Sequence, residues 1–386
     1  MPRCSKQKPT VENLLPLASL RDEWFLGFSG GTCLVFLLYG EPLFARLAEP
    51  VWLVLVFLWL FTAVLGSALS VVRHAEHLAL YLGEPYGTLL LTLSVTFVEV
   101  TSIAAIMLHG ANNPTLARDT LFAVAMIILN GMVGLSLLVG GWRHREQQYN
   151  LQGANAYLGV IIPLAVLSLI MPDFTQTTPG PLLSHEQDII LVLVGLGLYS
   201  AFLAVQTRRH RAYFRFGADS ADEPANAGDS ALTSGPPFLL AHSALLIAYL
   251  LPVVFLAKQF AHPVDYLIET LRAPTALGGV VIAVLVATPE AIGAVRAALA
   301  NHLQRSINIF LGSVLSTIGL TVPAIVLVSR MIGREIVLGV EHTDMVMLLL
   351  TLIVCVVTFS SGRTNVMQGA VHLVLFAVYL ALIFQG

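Results

Sequence analysis

The 386-residue sequence predicts an all-α polytopic membrane protein of about eleven transmembrane helices, arranged as one N-terminal helix and two inverted five-helix repeats. Three observations carry this. Hydrophobic residues make up 56% of the chain and charged residues 11%, with a mean hydropathy of +0.81. A soluble domain carries about 25% charged residues, so only lipid can cover this much apolar side chain. Apolar runs of about 17–25 residues, enough to cross the hydrocarbon core, recur along the whole length. Finally, a long polar loop divides them evenly once a weak first run is set aside.

In order, the spans fall near 24–40, 51–72, 86–109, 119–141, 156–172, 188–206, 238–257, 276–300, 306–330, 344–360 and 366–385. The first is short and interrupted by Ser29, Gly30 and Gly31. Residues 1–50 therefore read as a tail plus one span, 51–206 as the first five-helix repeat, 207–237 as a linker and 238–386 as the second repeat. An odd number of spans per half forces homologous halves into opposite topology, the inverted-repeat plan of many secondary transporters. No A-x-A-like site follows the first apolar run, so no removable signal peptide is expected.

Charge sets orientation. With the N-terminus inside, the inner segments hold Arg3, Lys6, Lys8, Arg21, Arg73, Arg143, Arg145, Arg208, Arg209, Arg211, Arg215, Arg296, Arg305 and Arg363. The outer segments hold only Arg46, Arg118, Lys258, Arg272, Arg330 and Arg334. The positive-inside rule then places the N-terminus in the cytoplasm and the C-terminus in the periplasm of a bacterial inner membrane. A net charge of −3, with no basic run of the kind that grips nucleic acid, argues against nucleic acid as a partner, leaving the lipid bilayer and small inorganic cations. Cys4, Cys33 and Cys355 form no metal or redox spacing and read as packing residues. No cofactor is expected. The linker opens with Arg208-Arg209-His210-Arg211 and continues through Asp219, Asp222, Glu223 and Asp229. It reads either as a flexible connector or as a regulatory, cation-attracting segment.

Of the 23 acidic residues, only Glu99 and Glu290 lie well inside an apolar span. An ionised side chain there costs about 2.5–3.5 kcal/mol on insertion scales, so such groups face cavities and mark ion or proton pathways. Each sits in the second span of its half. Each is followed one helix later by a similar tetrapeptide, Gly134-Leu135-Ser136-Leu137 and Gly319-Leu320-Thr321-Val322.

The surroundings of the two acids differ. Thr88, Thr92, Thr96, Glu99 and Ser102 share one helical stripe. These hydroxyls either assist a hard cation or bond their own helix carbonyls. Around Glu290 the stripe is Gly279, Ala283, Ala287, Ala294 and Ala297, small enough for close helix approach. Pro289 removes a backbone donor and frees the carbonyl of Leu285, which predicts a helix break beside the acid. That break serves as a ligand source, a hinge or a packing kink. Asn130, Ser136, Asn308, Ser313, Ser316 and Thr317 in the following spans are available to complete a shell. His242 and His372, the mid-span histidines, read as hydrogen-bonded packing residues.

Several motifs carry a family resemblance. They are Ala75-Glu76-His77-Leu78-Ala79, Gly83-Glu84-Pro85-Tyr86-Gly87 and Thr96-Phe97-Val98-Glu99-Val100. There follow Gly140-Gly141-Trp142-Arg143-His144-Arg145-Glu146-Gln147-Gln148-Tyr149-Asn150, Pro289-Glu290-Ala291 and Asn301-His302-Leu303-Gln304-Arg305. Gly312-Ser313 and Ser360-Ser361-Gly362-Arg363-Thr364-Asn365 complete the set. In this order, from about residue 60 onward, the chain resembles the calcium/cation antiporter superfamily, and within it the bacterial sodium/calcium–proton antiporters. The resemblance implies that Glu99 and Glu290 are the paired cation- and proton-binding acids. The better-known calcium exchangers carry Gly-Asn where this chain has Val95-Thr96, so their ligand set does not transfer directly.

The expected function is secondary active exchange of a cation for protons by alternating access, with calcium foremost and sodium or potassium as alternatives. Two glutamates supply four carboxylate oxygens against the 6–8 oxygen ligands Ca²⁺ takes. Thr96, Ser102, Asn130, Asn308, Ser313 and the Leu285 carbonyl are the supporting candidates. A channel with a glutamate filter is the alternative. A membrane-embedded enzyme is disfavoured by the absence of an HExxH motif and of a mid-span Asp pair.

Overall fold

The computed structural model describes residues 23–83, 86–107, 114–175, 178, 180–215 and 236–385. The N-terminal segment with Cys4, Glu84-Pro85, the 108–109 end of the third expected span and the linker acids Asp219, Asp222, Glu223 and Asp229 lie outside these residues.

Each of the eleven expected spans overlaps one helix. These are α1 (Trp24–Phe44), α2 (Pro50–Leu82), α3 (Tyr86–Met107), α4 (Leu116–His144), α5 (Leu151–Phe174) and α6 (His185–Arg209). After the linker come α7 (Phe238–Thr270), α8 (Thr275–Leu299), α9 (Leu303–Ile332), α10 (His342–Thr358) and α11 (Val366–Ile383). All but α10 reach full spanning length by composition, and α10 is a shorter apolar helix. A two-stranded antiparallel sheet, not anticipated in an all-α reading, pairs β1 (Glu146–Gln148) with β2 (Arg363–Asn365).

Local chemistry explains the ends. Asn150 caps α5 through the Gln152 amide, Ser184 and Gln187 form a capping box on α6, and Asn365 and Gln368 form another on α11. Pro50 opens α2, where its missing donor costs nothing. The longest helices, α2 and α7, have 33 residues each and pack along one another. At about 50 Å they outreach the ~30 Å hydrocarbon core. Glu23, just before α1, accepts hydrogen bonds from Arg73 of α2 and Tyr249 of α7, tying all three helices at one end.

The matched helices α4 and α9 are each interrupted mid-course by a π turn, Ile127–Met132 and Thr317–Thr321. Such turns insert an extra residue and often accompany functional sites. Helices α4 and α8 run parallel and touch at both ends. At one, a Cβ on Gly279 would meet the backbone of Asp119 at 2.7 Å, so only glycine permits the approach. At the other, His144 Nε2 lies 2.9 Å from the Leu299 carbonyl oxygen. The small-residue stripe of α8 is therefore a packing face against α4. Gly134 and Gly369 allow α4 and α11 the same closeness.

The motifs 140–150, 301–305 and 360–365 form a structural buckle at the basic end. Gln147 Nε2 donates to the Ala298 carbonyl at 2.8 Å and to Asn301 Oδ1 at 3.0 Å. The Asn150 amide donates to Gln304 Oε1 at 2.7 Å, and the Tyr149 amide to the Gly362 carbonyl at 3.1 Å. Asn301 holds φ +64°, a left-handed conformation that asparagine tolerates. Burial pushes the Tyr149 phenol up to about 12, so it stays neutral, and its oxygen accepts from the Gly362 amide at 3.2 Å.

Candidate functional site

A cavity of about 260 Å³ enters the bundle from the basic end, between α2, α3, α6, α8 and α9. Glu76, Gln206 and Arg305 stand at helix ends on its wall, and Thr92, Glu290 and Ser316 lie deeper. Cavities of about 420 and 330 Å³ at the opposite end include neither glutamate in their linings. Of these three cavities, the one at the basic end is the one that reaches Glu290.

The two acids meet this cavity unequally. Glu290 lines it, yet its Oε2 is buried without a hydrogen-bond partner. Glu99 is 2% exposed and does not line it. Its carboxylate accepts from Thr317 Oγ1 at 2.9 and 3.2 Å and from Thr321 Oγ1 at 2.5 Å. Both threonines stand four residues apart on the π turn of α9. The first acid is thus held by the second half of the chain.

The supporting candidates scatter. Asn308 and Ser313 line the cavity with Glu290 and Pro289. The Asn308 amide already donates to the Phe214 carbonyl at 2.8 Å and accepts from Gln304 at 2.9 Å. Thr96 lies one turn deeper than Thr92, with a buried, unpartnered hydroxyl. Four residues sit differently from the sequence reading. Asn130 faces away from the acids, because its amide donates to Thr351 at 2.8 Å and lies 3.3 Å from His372 Nδ1. Ser102 and Leu285 instead line a void of about 10 Å³ with apolar neighbours, and the Ser102 hydroxyl donates to the Val98 carbonyl at 2.7 Å. Pro289 does not break its helix, since α8 runs continuously from Thr275 to Leu299. There Thr288 Oγ1 bonds the Val284 carbonyl at 2.5 Å, so a hydroxyl takes up helix carbonyl capacity beside the proline.

Thr321 is the site residue that ligand reasoning on the sequence misses. Its signal is present, because Thr317 and Thr321 form an i, i+4 pair inside the repeated tetrapeptide region. The histidine expectation agrees with the packing, as His372 lies 3.0 Å from Thr358 Oγ1 and His242 lies 3.0 Å from His74 Nδ1.

Comparison with known proteins places this architecture. The family described as sodium/calcium exchanger protein matches residues 52–208 and 242–385, covering both glutamates. The chain belongs to that family. This exchanger is 42% identical over 323 residues to the sodium-potassium/proton antiporter ChaA of Escherichia coli, spanning 83% of this chain and 86% of that one. It is 20% identical over 308 residues to the Ca²⁺/H⁺ antiporter ChaA of Bacillus subtilis, spanning 79% and 85%. Among solved structures, native YfkE superposes with a TM-score of 0.69 at 18% identity, covering 92% of this chain and all of that one. The H⁺/Ca²⁺ exchanger CAX gives 0.63 at 14%, covering 94% and 88%. At these identities the superpositions speak to fold alone. Membership agrees with the sequence reading of a transporter and not an enzyme.

Proposed function

We propose that this exchanger swaps a small cation for protons across a bacterial inner membrane, with Glu99 and Glu290 as the shared binding acids. The observation that carries the reading is Glu290 lining a one-sided cavity while Glu99 lies sealed behind it. A charge buried away from water persists only when paired, so each carboxylate keeps either a proton or a cation. A site occupied either way is close to neutral and free to cross. An empty, doubly charged one is not. This obligatory occupancy couples the two fluxes without a continuous pore, which favours antiport over a channel.

The basic end faces the cytoplasm on this reading, making the conformation inward-facing. The halves α2–α6 and α7–α11 act as inverted repeats, supported by matched glutamates and matched π turns. Sodium and potassium are the first cations to test. One consideration is the name of the 42%-identical relative. The other is the ligand supply, because Ca²⁺ wants about 6–8 oxygens and the Asn308 amide and Glu99 carboxylate are already engaged. Calcium, favoured from the sequence, is the third arm.

The test is proton movement in proteoliposomes on adding Na⁺, K⁺ or Ca²⁺ separately. Proton counterflow that needs a cation, and vanishes in E99Q and E290Q, is the expected result. Cation flux without proton movement would establish the channel instead.

A further inference from the structure

Buried hydroxyls in this bundle usually bond the carbonyl four residues back. Ser67, Ser70, Ser94, Ser102, Thr120 and Ser168 all do so, at 2.7–2.9 Å. Ser136 does not. It is 0% exposed, on α4, and its Oγ has no partner. An orphaned buried hydroxyl costs about 1–3 kcal/mol, so its retention calls for a partner in another conformation.

Geometry points to that partner. Glu290 lies on the α8 stripe of Gly279, Ala283 and Ala287, eleven residues beyond the glycine that touches α4 and so on the same face. Between the two α4–α8 contacts, Gly279 with Asp119 and Leu299 with His144, Glu290 falls just past the midpoint. Ser136 falls within about one turn of that level. On α4, Gly134 faces α11, where an added Cβ would meet Leu373 at 2.9 Å. Ser136, two residues on, is turned about 200° from it, into the bundle. Glu290 Oε2 and, on α3, Thr96 Oγ1 are the other buried oxygens near this level without a bond. In the opposite half, the tetrapeptide position matching Ser136 is Thr321, which does bond its acid, Glu99.

We propose that Ser136 is the positioning residue that receives Glu290 when the site opens to the opposite side, as Thr321 receives Glu99 in the present conformation. In the exchange the Glu99–Thr321 bond opens and the Glu290–Ser136 bond closes. The two halves then trade roles, and each glutamate is held when its own side is shut. The proposal rests on the paired-acid reading above.

The test uses purified full-length protein in oriented proteoliposomes, with whichever of Na⁺, K⁺ or Ca²⁺ drives wild-type exchange. S136A should raise the apparent KM at the outer face about tenfold, the size of one lost hydrogen bond to a charged group. The inner-face KM should stay within about twofold, and S136T should restore the wild-type values. Should S136A not accumulate, S136C removes the hydroxyl at similar volume and reads the same asymmetry. An unchanged outer KM, an equal rise at both faces, or no rescue by S136T overturns the proposal. E290Q separates the two levels of the argument. Retained exchange in E290Q sinks the paired-acid reading itself, whereas a dead E290Q beside a wild-type-like S136A sinks only the role of Ser136.

Discussion

Glu99 and Glu290 are the same chemical group at matched places in two halves of one chain, yet their surroundings are opposite. Glu99 sits thirteen residues into α3, with two threonine hydroxyls on its oxygens. Glu290 sits fifteen residues into α8, beside an open cavity and with one oxygen unpartnered. A transporter caught between equal states would show equal sites. On the proposed reading, the inequality marks a conformation in which one half is shut and the other open, and it identifies what each state must satisfy. Composition reinforces the difference, because α3 carries threonines on the stripe of its acid whereas α8 carries glycine and alanines.

The largest expected effect comes from erasing the comparison altogether. E99Q and E290Q should each abolish exchange while the protein still inserts and purifies, as checked by proton flux beside size-exclusion profiles. Either variant transporting near the wild-type rate would break the pairing. Next in size, the double variant T317V/T321V should strip the hold on Glu99. Hydrogen bonds to charged groups contribute about 1.5–3 kcal/mol each, so with two donors lost turnover should fall by about a hundredfold or more, with S136A shifting the outer-face KM instead. Equal kinetic signatures for the two would mean that the halves are not exchanging roles.

A subtler contrast separates the site from the buckle. Q147A removes two bonds that join β1 to the end of α8 and the turn after it, leaving the buried Ala298 carbonyl unmet at a cost of about 1–3 kcal/mol. Thermal stability should drop, while exchange per folded molecule stays near normal. Those motif residues are as prominent in the sequence as the glutamates, but their side chains bond backbone and one another. Smallest of all, P289A should leave the cation KM within about threefold and raise stability slightly, because an alanine at 289 supplies the helix donor that proline lacks. A large KM increase would reinstate the Leu285 carbonyl as a ligand.

Hydropathy made the eleven helices legible, since lipid demands long apolar runs whatever the tertiary packing. The two acids were legible for the same reason, as exceptions to that demand. The partners of the acids were not. Helical phase puts Ser102 near the stripe of Glu99, but it cannot show that its hydroxyl is spent on Val98. Asn130 reads as a mid-membrane amide, and only the packing of α10 and α11 reveals Thr351 and His372 as its partners. The hold of Thr321 on Glu99 spans more than two hundred residues and depends on a π turn, which no local periodicity announces. Pro289 misleads in the opposite direction, because proline weakens a helix without obliging a well-packed one to end.

The most direct test of a sealed Glu99 beside a cavity-lining Glu290 is carbodiimide modification of the purified protein, with each glutamate quantified by peptide mass spectrometry. The account predicts that Glu290 reacts first, about tenfold faster than Glu99, and is protected by the transported cation. Equal labelling of the two, or Glu99 reacting ahead of Glu290, would contradict it.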